Sequence, residues 1–206
     1  MLDRHVCMRR LERSLGAVAL VSLGIFAWAR LDSDLFQKVE GWRIDEVLKT
    51  ARGHPVGVLQ AGMAAATRAE IAASGLIGRL EIPRLGLSAL VVEGTDSRTL
   101  RRAVGHVPLT SLPGEPGNVA LAGHRDSFFQ HLRQVYLGDR VRLTTPDGTF
   151  EYRVESKFIV RPEQTGVLSP SDGRTLTLIT CYPFKYVGSA PERYIVRARQ
   201  LDAIVQ

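Results

Sequence analysis

The 206-residue chain has only two cysteines, Cys7 and Cys181, too few for a disulfide scaffold. It has no Lys/Arg run and no interleaving of aromatics with basic residues, which argues against nucleic-acid binding. No spacing of metal ligands stands out: Glu115, Glu163 and Asp172 are scattered loop acids, so neither a metal nor a cofactor is expected. Internal repeats and low-complexity tracts are missing too. What is present is ordinary globular usage, 45% hydrophobic and 23% charged, which excludes a disordered or collagen-like chain. At roughly 150 residues per domain, the length fits one domain plus an appendage. Nineteen glycines and ten prolines point to many turns rather than a helical bundle.

The net charge of +6 is uneven. Arg4, Arg9, Arg10, Arg13 and Arg30 against Asp3 and Glu12 place +3 of it in residues 1–30. Within that stretch Leu15 to Ala29 (LGAVALVSLGIFAWA) carries no charge. Fifteen residues reach about 22 Å as a helix, short of a hydrocarbon core of roughly 30 Å. Extension from Leu11 to Leu31, with Arg13 and Arg30 snorkelling, makes a span feasible. The arginines in front put the N-terminus in the cytoplasm, and Trp28 falls at the outer interface. Ala27-Trp28-Ala29 also fits a signal-peptide cleavage pattern. On either reading residues 32–206 lie across the membrane, the uncleaved single-pass anchor being favoured. Cys7 and Cys181 are then on opposite sides, which leaves Cys181 an unpaired thiol where thiols usually pair.

Three regions follow: 1–31 as cytoplasmic tip and membrane anchor, 32–75 as helical stalk, and 76–206 as the main domain. Leu35, Val39, Trp42, Ile44, Val47 and Leu48 recur near helical spacing. Gly53-His54-Pro55 interrupts them, and Leu59 to Ala73 is Ala-rich and helix-prone. From Leu76 the period becomes two. Strands are expected at 76–82 and 87–92 around a Pro83–Gly86 turn, at 119–122, at 140–144 and 149–160 around Pro146-Asp147-Gly148, at 175–180, and at 193–199. Short helices are expected at 96–104, capped by Thr95 or Asp96, and at 128–136. Six or seven short strands separated by turns argue for a closed barrel or a sandwich.

Chemistry concentrates in three segments. TLTLITCYPF (175–184) ends a strand on Cys181, whose thiol is a strong nucleophile if its surroundings favour the thiolate. By residue type alone a small buried hydrophobe is the favoured reading, and the exported location shifts the balance toward the nucleophile. LAGHRD (121–126) sets His124 on a rim after a strand, where an imidazole can hand a proton to a leaving amine. His54, His106 and His131 read as surface or loop-capping histidines. Arg193 begins the last strand and is suited to an oxyanion. Arg197 and Arg199 share its face, so periodicity does not choose among the three.

The order His, then strand-Thr-Cys, then strand with Arg resembles the sortase family of cysteine transpeptidases. Thr177-Leu178-Ile179-Thr180-Cys181 looks like the family's TLxTC signature. Residues 117–125 look like the segment around its histidine, and Glu192-Arg193-Tyr194-Ile195-Val196 like the strand carrying its arginine. Cys-Tyr-Pro-Phe after the signature is most similar to class D. The resemblance covers about residues 76–199. It implies a mostly β fold: a closed eight-stranded barrel with short helices. It implies Cys181 as nucleophile, His124 as general acid/base, Arg193 as oxyanion stabiliser and substrate clamp, and Thr180 as a contact to the substrate peptide. It implies exported proteins with an LPxTG-like sorting motif as donors, and a wall peptide or protein lysine as amine acceptor.

Two other enzyme classes and one binding class compete. A papain-type peptidase places its cysteine early at a helix start, with histidine downstream; here histidine precedes a cysteine that ends a strand. An L,D-transpeptidase wants a Ser-x-Gly-Cys segment, and Ile179-Thr180-Cys181 lacks the glycine. A non-catalytic anchored barrel predicts Cys181 buried and far from His124.

Overall fold

The computed structural model describes residues 2–51 and 75–201. A long helix, α1 (Leu2–Ala51), precedes eight strands: β1 (Leu76–Ile82), β2 (Leu87–Glu93), β3 (Val104–His106), β4 (Gly117–Ala122), β5 (Arg140–Thr145), β6 (Gly148–Val160), β7 (Arg174–Tyr182) and β8 (Glu192–Gln200). A short helix, α2 (Ser97–Arg102), joins β2 to β3, and 3-10 turns occupy Pro83–Leu85, Gln130–Gln134 and Thr165–Leu168. The strands close a barrel in the order β1-β2-β3-β4-β7-β8-β6-β5. β5 returns to β1, with Leu80 opposite Leu143. The β2–β3 and β4–β7 pairs are parallel and the rest antiparallel.

The two-residue period explains the core. Val119 and Leu121 of β4, Leu176 and Leu178 of β7, and Val196 and Ala198 of β8 all belong to one buried cluster with Leu80, Ile82, Leu143 and Tyr152. The intervening residues therefore face outward, which gives the barrel an outer face of Thr177, Ile179 and Cys181 beside Arg193, Ile195 and Arg197. Turn chemistry sets the ends. Asp96 caps α2 by accepting from Arg98 N (2.9 Å) and Thr99 N (3.2 Å). The strand β3 escaped the pattern because it has three residues, one of them glycine. A Cβ on Gly105 would collide with the Gly94 carbonyl, so the close approach of that turn demands the glycine.

The helix α1 runs unbroken past the expected boundary at residue 31; the rest of the expected stalk, including His54 and 59–73, lies outside the described residues. Its stretch Arg13–Val39 is long and apolar enough to cross a membrane. Leu15, Leu20, Phe26 and Trp28 are exposed on it. The C-terminal end of that stretch, from Asp32 on, and Gly41 just past it dock on the barrel. Asp32 takes both arms of Arg102 (2.6 and 2.7 Å). The Gln37 amide accepts from Leu90 N (3.0 Å) and donates to Arg102 O (2.6 Å). Phe36 packs on Leu90 and Ala103, and Arg79 reaches Gly41 O (3.0 Å).

On the far side, Asp139 is held by Arg84 (2.6 Å to Oδ2) and accepts from Tyr136 N (2.8 Å). The Arg84 hydrogen bond, against the opposing effect of burial, keeps its carboxyl below the usual range. A depressed carboxyl stabilises the fold above its unfolded pKa, near 4, and that stability is lost as pH falls through the folded value. Thermal unfolding from pH 7 down to pH 3 should therefore show a smaller fall in Tm for Asp139→Asn than for the native chain, from a lower starting Tm.

Candidate active site

The site is built by strand register. In the parallel β4–β7 pair Ala122 lies opposite Ile179, and the ladder continues with Gly123 N donating to Ile179 O (3.1 Å). Two residues further on each strand come His124 and Cys181. In the antiparallel β7–β8 pair Cys181 lies directly opposite Arg193. β7 and β8 thus carry thiol and guanidinium opposite each other, and the segment just past the end of β4 brings His124 to the same level, neighbouring strands being about 4.8 Å apart. Cys181 is half-buried rather than sealed, and so is His124. This departs from what a non-catalytic scaffold predicts for the thiol.

Register also separates the three arginines that periodicity left equivalent. Arg193 faces Cys181, Arg197 faces Thr177, and Arg199 faces Thr175. Arg197 donates to Val167 O (3.1 Å) and lies over the Phe158 ring (5.9 Å), so it anchors the β6–β7 loop. Arg199 pairs with Glu155 (2.9 Å). The Arg193 guanidinium donates to Ala190 O (3.2 Å) and Glu192 O (2.9 Å), carbonyls from the end of the β7–β8 loop and the start of β8.

Thr180, which the resemblance implies as a contact to the peptide, alternates with Cys181 and is 2% exposed. Its hydroxyl donates to Gly123 O (2.7 Å). It therefore ties β7 to the residue preceding His124 and acts on the site through that segment. Thr180→Val should leave the Gly123 carbonyl buried and unsatisfied, costing about 1–3 kcal/mol in urea unfolding, while Thr180→Ser keeps the bond. A Val variant as stable as the native chain would remove this role.

Two further residues went unassigned in the sequence. Arg125 donates to Pro183 O (2.9 Å), Tyr186 O (2.9 Å) and Gly188 O (3.3 Å), so the residue after His124 fixes the loop between Cys181 and Arg193. Asn118 donates to Val167 O (2.9 Å) and Ser169 O (3.2 Å) while accepting from Thr177 Oγ1 (2.7 Å), which holds the β6–β7 loop over the outer face. Only an arginine adjoining the histidine hinted at the first; nothing local marks the second.

Behind Cys181 the rings of Tyr182, Phe184 and Tyr194 pack together, Tyr182 and Tyr194 stacked with centroids 6.2 Å apart. Burial, then the neighbouring Tyr182, raises the Tyr194 phenol above its ordinary pKa. His106 is buried rather than on the surface. It bonds Glu93 Oε2 (2.7 Å) through Nδ1 and Ser111 O (3.0 Å) through Nε2, tethering the 108–117 loop. Among the described residues no group of three or more His, Cys, Asp or Glu is placed to hold a metal.

The model of the sortase domain family matches residues 80–201, more than half of the chain and the whole of this site. The chain belongs to the sortase family. It is 38% identical over 125 residues to Sortase D of Bacillus subtilis (strain 168), covering 60% of this chain and 63% of that protein. Over 141 residues it is 28% identical to Sortase A of Bacillus anthracis, covering 66% and 65%. The chain thus spans just under two thirds of the length of these curated relatives. Among solved structures, a Clostridium perfringens Sortase D5 transpeptidase superposes with a TM-score of 0.59 at 25% identity, covering 77% of this chain and 98% of that one. Sortase C-1 of Actinomyces oris gives 0.59 at 29% identity over the same shares. The closed eight-stranded barrel, with few short helices, is that of the family, and the likeness to class D is borne out.

Proposed function

We propose that this sortase is a membrane-anchored cysteine transpeptidase. It cleaves an LPxTG-like motif in exported proteins and passes the acyl group to an amine. The observation that supports this reading is the shared level of His124, just past the end of β4, with Cys181 on β7 and Arg193 on β8. The family match, and the transpeptidase named among the similar structures, point the same way.

In this reading the Cys181 thiolate attacks the carbonyl carbon of the motif threonine. The guanidinium of Arg193 balances the oxyanion. Protonated His124 gives its proton to the departing glycine amine as the C–N bond breaks, leaving a thioester on Cys181. An incoming amine then attacks that carbonyl and yields a proton to neutral His124. The new C–N bond forms, the C–S bond breaks, and the thiolate–imidazolium pair is restored. Arg125 is a positioning residue here, because it holds the Cys181–Arg193 loop against the segment bearing His124. Peptide is drawn along the outer face below the β6–β7 loop, which Asn118 and Arg197 hold.

The anchor is the apolar part of α1, entered from the cytoplasm after Arg4, Arg9, Arg10 and Arg13. The barrel then sits outside, docked on α1 within a turn of its exit. The full chain in detergent, given a fluorogenic LPxTG-type peptide and a primary amine, should release the fragment after threonine and form the amide product. Absence of both products across a set of sorting-type pentapeptides would overturn the reading.

A further inference from the structure

A cleft of about 540 Å³ lies between α1 and the barrel, and one of its walls is His124. The helix contributes Phe26, Ser33 and Asp34, α2 contributes Arg101, and the segment after β4 contributes Asp126 and Ser127. Cys181 and Arg193 are not among its walls. The cleft therefore comes to the imidazole from the side away from the β7–β8 pair, along which the peptide is proposed to lie. Two features of its lining are unspent. Neither Asp34 nor Asp126 is in an ion pair among the described residues, and both are exposed. The Ser127 hydroxyl, in the same wall, is buried and without a hydrogen-bond partner among the described residues. Two carboxylates against one guanidinium, with His124 and His131 as the other titratable groups of the lining, leave the cleft favouring a cation whenever both imidazoles are neutral.

We propose that this cleft is the entry site of the acceptor: a primary amine arrives there as an ammonium, drawn by Asp34 and Asp126 to His124, so that the anchor helix itself forms one wall of the acceptor site. The inference deepens the transpeptidase reading and rests on it. Its chemistry closes. The ammonium gives one proton to solvent or carboxylate to reach the free amine, and the second proton passes to neutral His124 as nitrogen attacks the thioester carbon. Sulfur leaves as thiolate. A site that draws amine to the imidazole also gives it an advantage over water, which transfer requires.

The test uses the full chain in detergent micelles with one sorting peptide and two nucleophiles. Cadaverine carries positive charge at neutral pH, while hydroxylamine is mostly neutral there. Amide and hydrolysis products come from one acyl-enzyme, so their ratio reports the acceptor step alone. Asp34→Asn and Asp126→Asn should each raise the half-saturating cadaverine concentration about threefold to fivefold, the scale of an exposed charge pair, and the double variant about tenfold or more. Hydroxylamine saturation should move less than twofold. Unchanged cadaverine saturation overturns the inference, and so does an equal rise for both nucleophiles, which is the mark of a merely structural change. A native chain that cleaves no sorting peptide overturns the transpeptidase reading and takes this inference with it; cleavage with unaltered acceptor preference in the variants overturns this inference alone.

Discussion

Cys181→Ala abolishes peptide cleavage and amine transfer together, a loss on the order of 10⁴- to 10⁶-fold, while the barrel keeps its thermal stability. The chemical loss follows from the proposed mechanism, in which both half-reactions pass through one C–S bond and no other group on that face can form it. Removal of the nucleophile from a cooperating set costs about as much as removal of the whole set. Retained stability follows from position. The thiol is half-buried on the outer face, opposite Arg193, and the core beneath it is made by its neighbours in the alternation, Leu176 and Leu178. Truncating one sulfur there opens no interior cavity. Steady-state cleavage and a thermal melt on the same preparation check both halves. Residual cleavage of more than about one part in a thousand would remove Cys181 from the role.

Arg193→Ala lowers the rate of thioester formation by at least about 10²-fold, the scale for loss of one oxyanion donor. Arg197→Ala costs far less at that step. The two residues share a strand, a face and a charge, so the contrast tests register and little else. Four residues along β8 separate them, about 13 Å at strand rise. Arg193 lies opposite Cys181, and Arg197 lies opposite Thr177, bound to Val167 O. The Arg197 variant should show its defect in the peptide KM, through a loosened β6–β7 loop, with single-turnover acylation nearly native. Arg193→Lys should recover little, because an ammonium cannot reproduce the planar fork. A larger acylation defect in Arg197→Ala than in Arg193→Ala would move the guanidinium's role along the strand.

Most of the barrel was legible because its strands alternate. Residues 76–82, 87–92, 140–144, 149–160 and 193–199 fall within observed strands, and Pro83–Gly86 and Pro146-Gly148 mark real turns. What escaped is instructive. The strand β3 is three residues long with a central glycine, below the length at which any period can be counted. The expected 128–136 helix is a 3-10 turn, Gln130–Gln134, ended where Val135 turns extended (φ −70°, ψ 139°). Local patterning could not distinguish which strands run parallel, and the site depends on that. Only the parallel β4–β7 pair brings the end of β4 to the level of Cys181. Thr180 is singled out by the resemblance alone; its bond to Gly123 O depends on the β4–β7 pairing, which no local pattern gives. The stalk matched no motif, yet Asp32 and Gln37 prove to be docking groups for Arg102 and Leu90, partners more than fifty residues away.

The central claim is that sulfur, imidazole and guanidinium act on one acyl group. The most direct measurement is the intact mass of the full chain, quenched in acid within seconds of mixing with an LPxTG-type peptide and no amine, then digested to map the adduct. A covalent acyl group equal to the peptide up to its threonine, mapped to the fragment holding Cys181 and discharged by hydroxylamine, is the predicted result. Cleaved peptide without any such adduct, or an adduct elsewhere with Cys181 unmodified, would contradict the account.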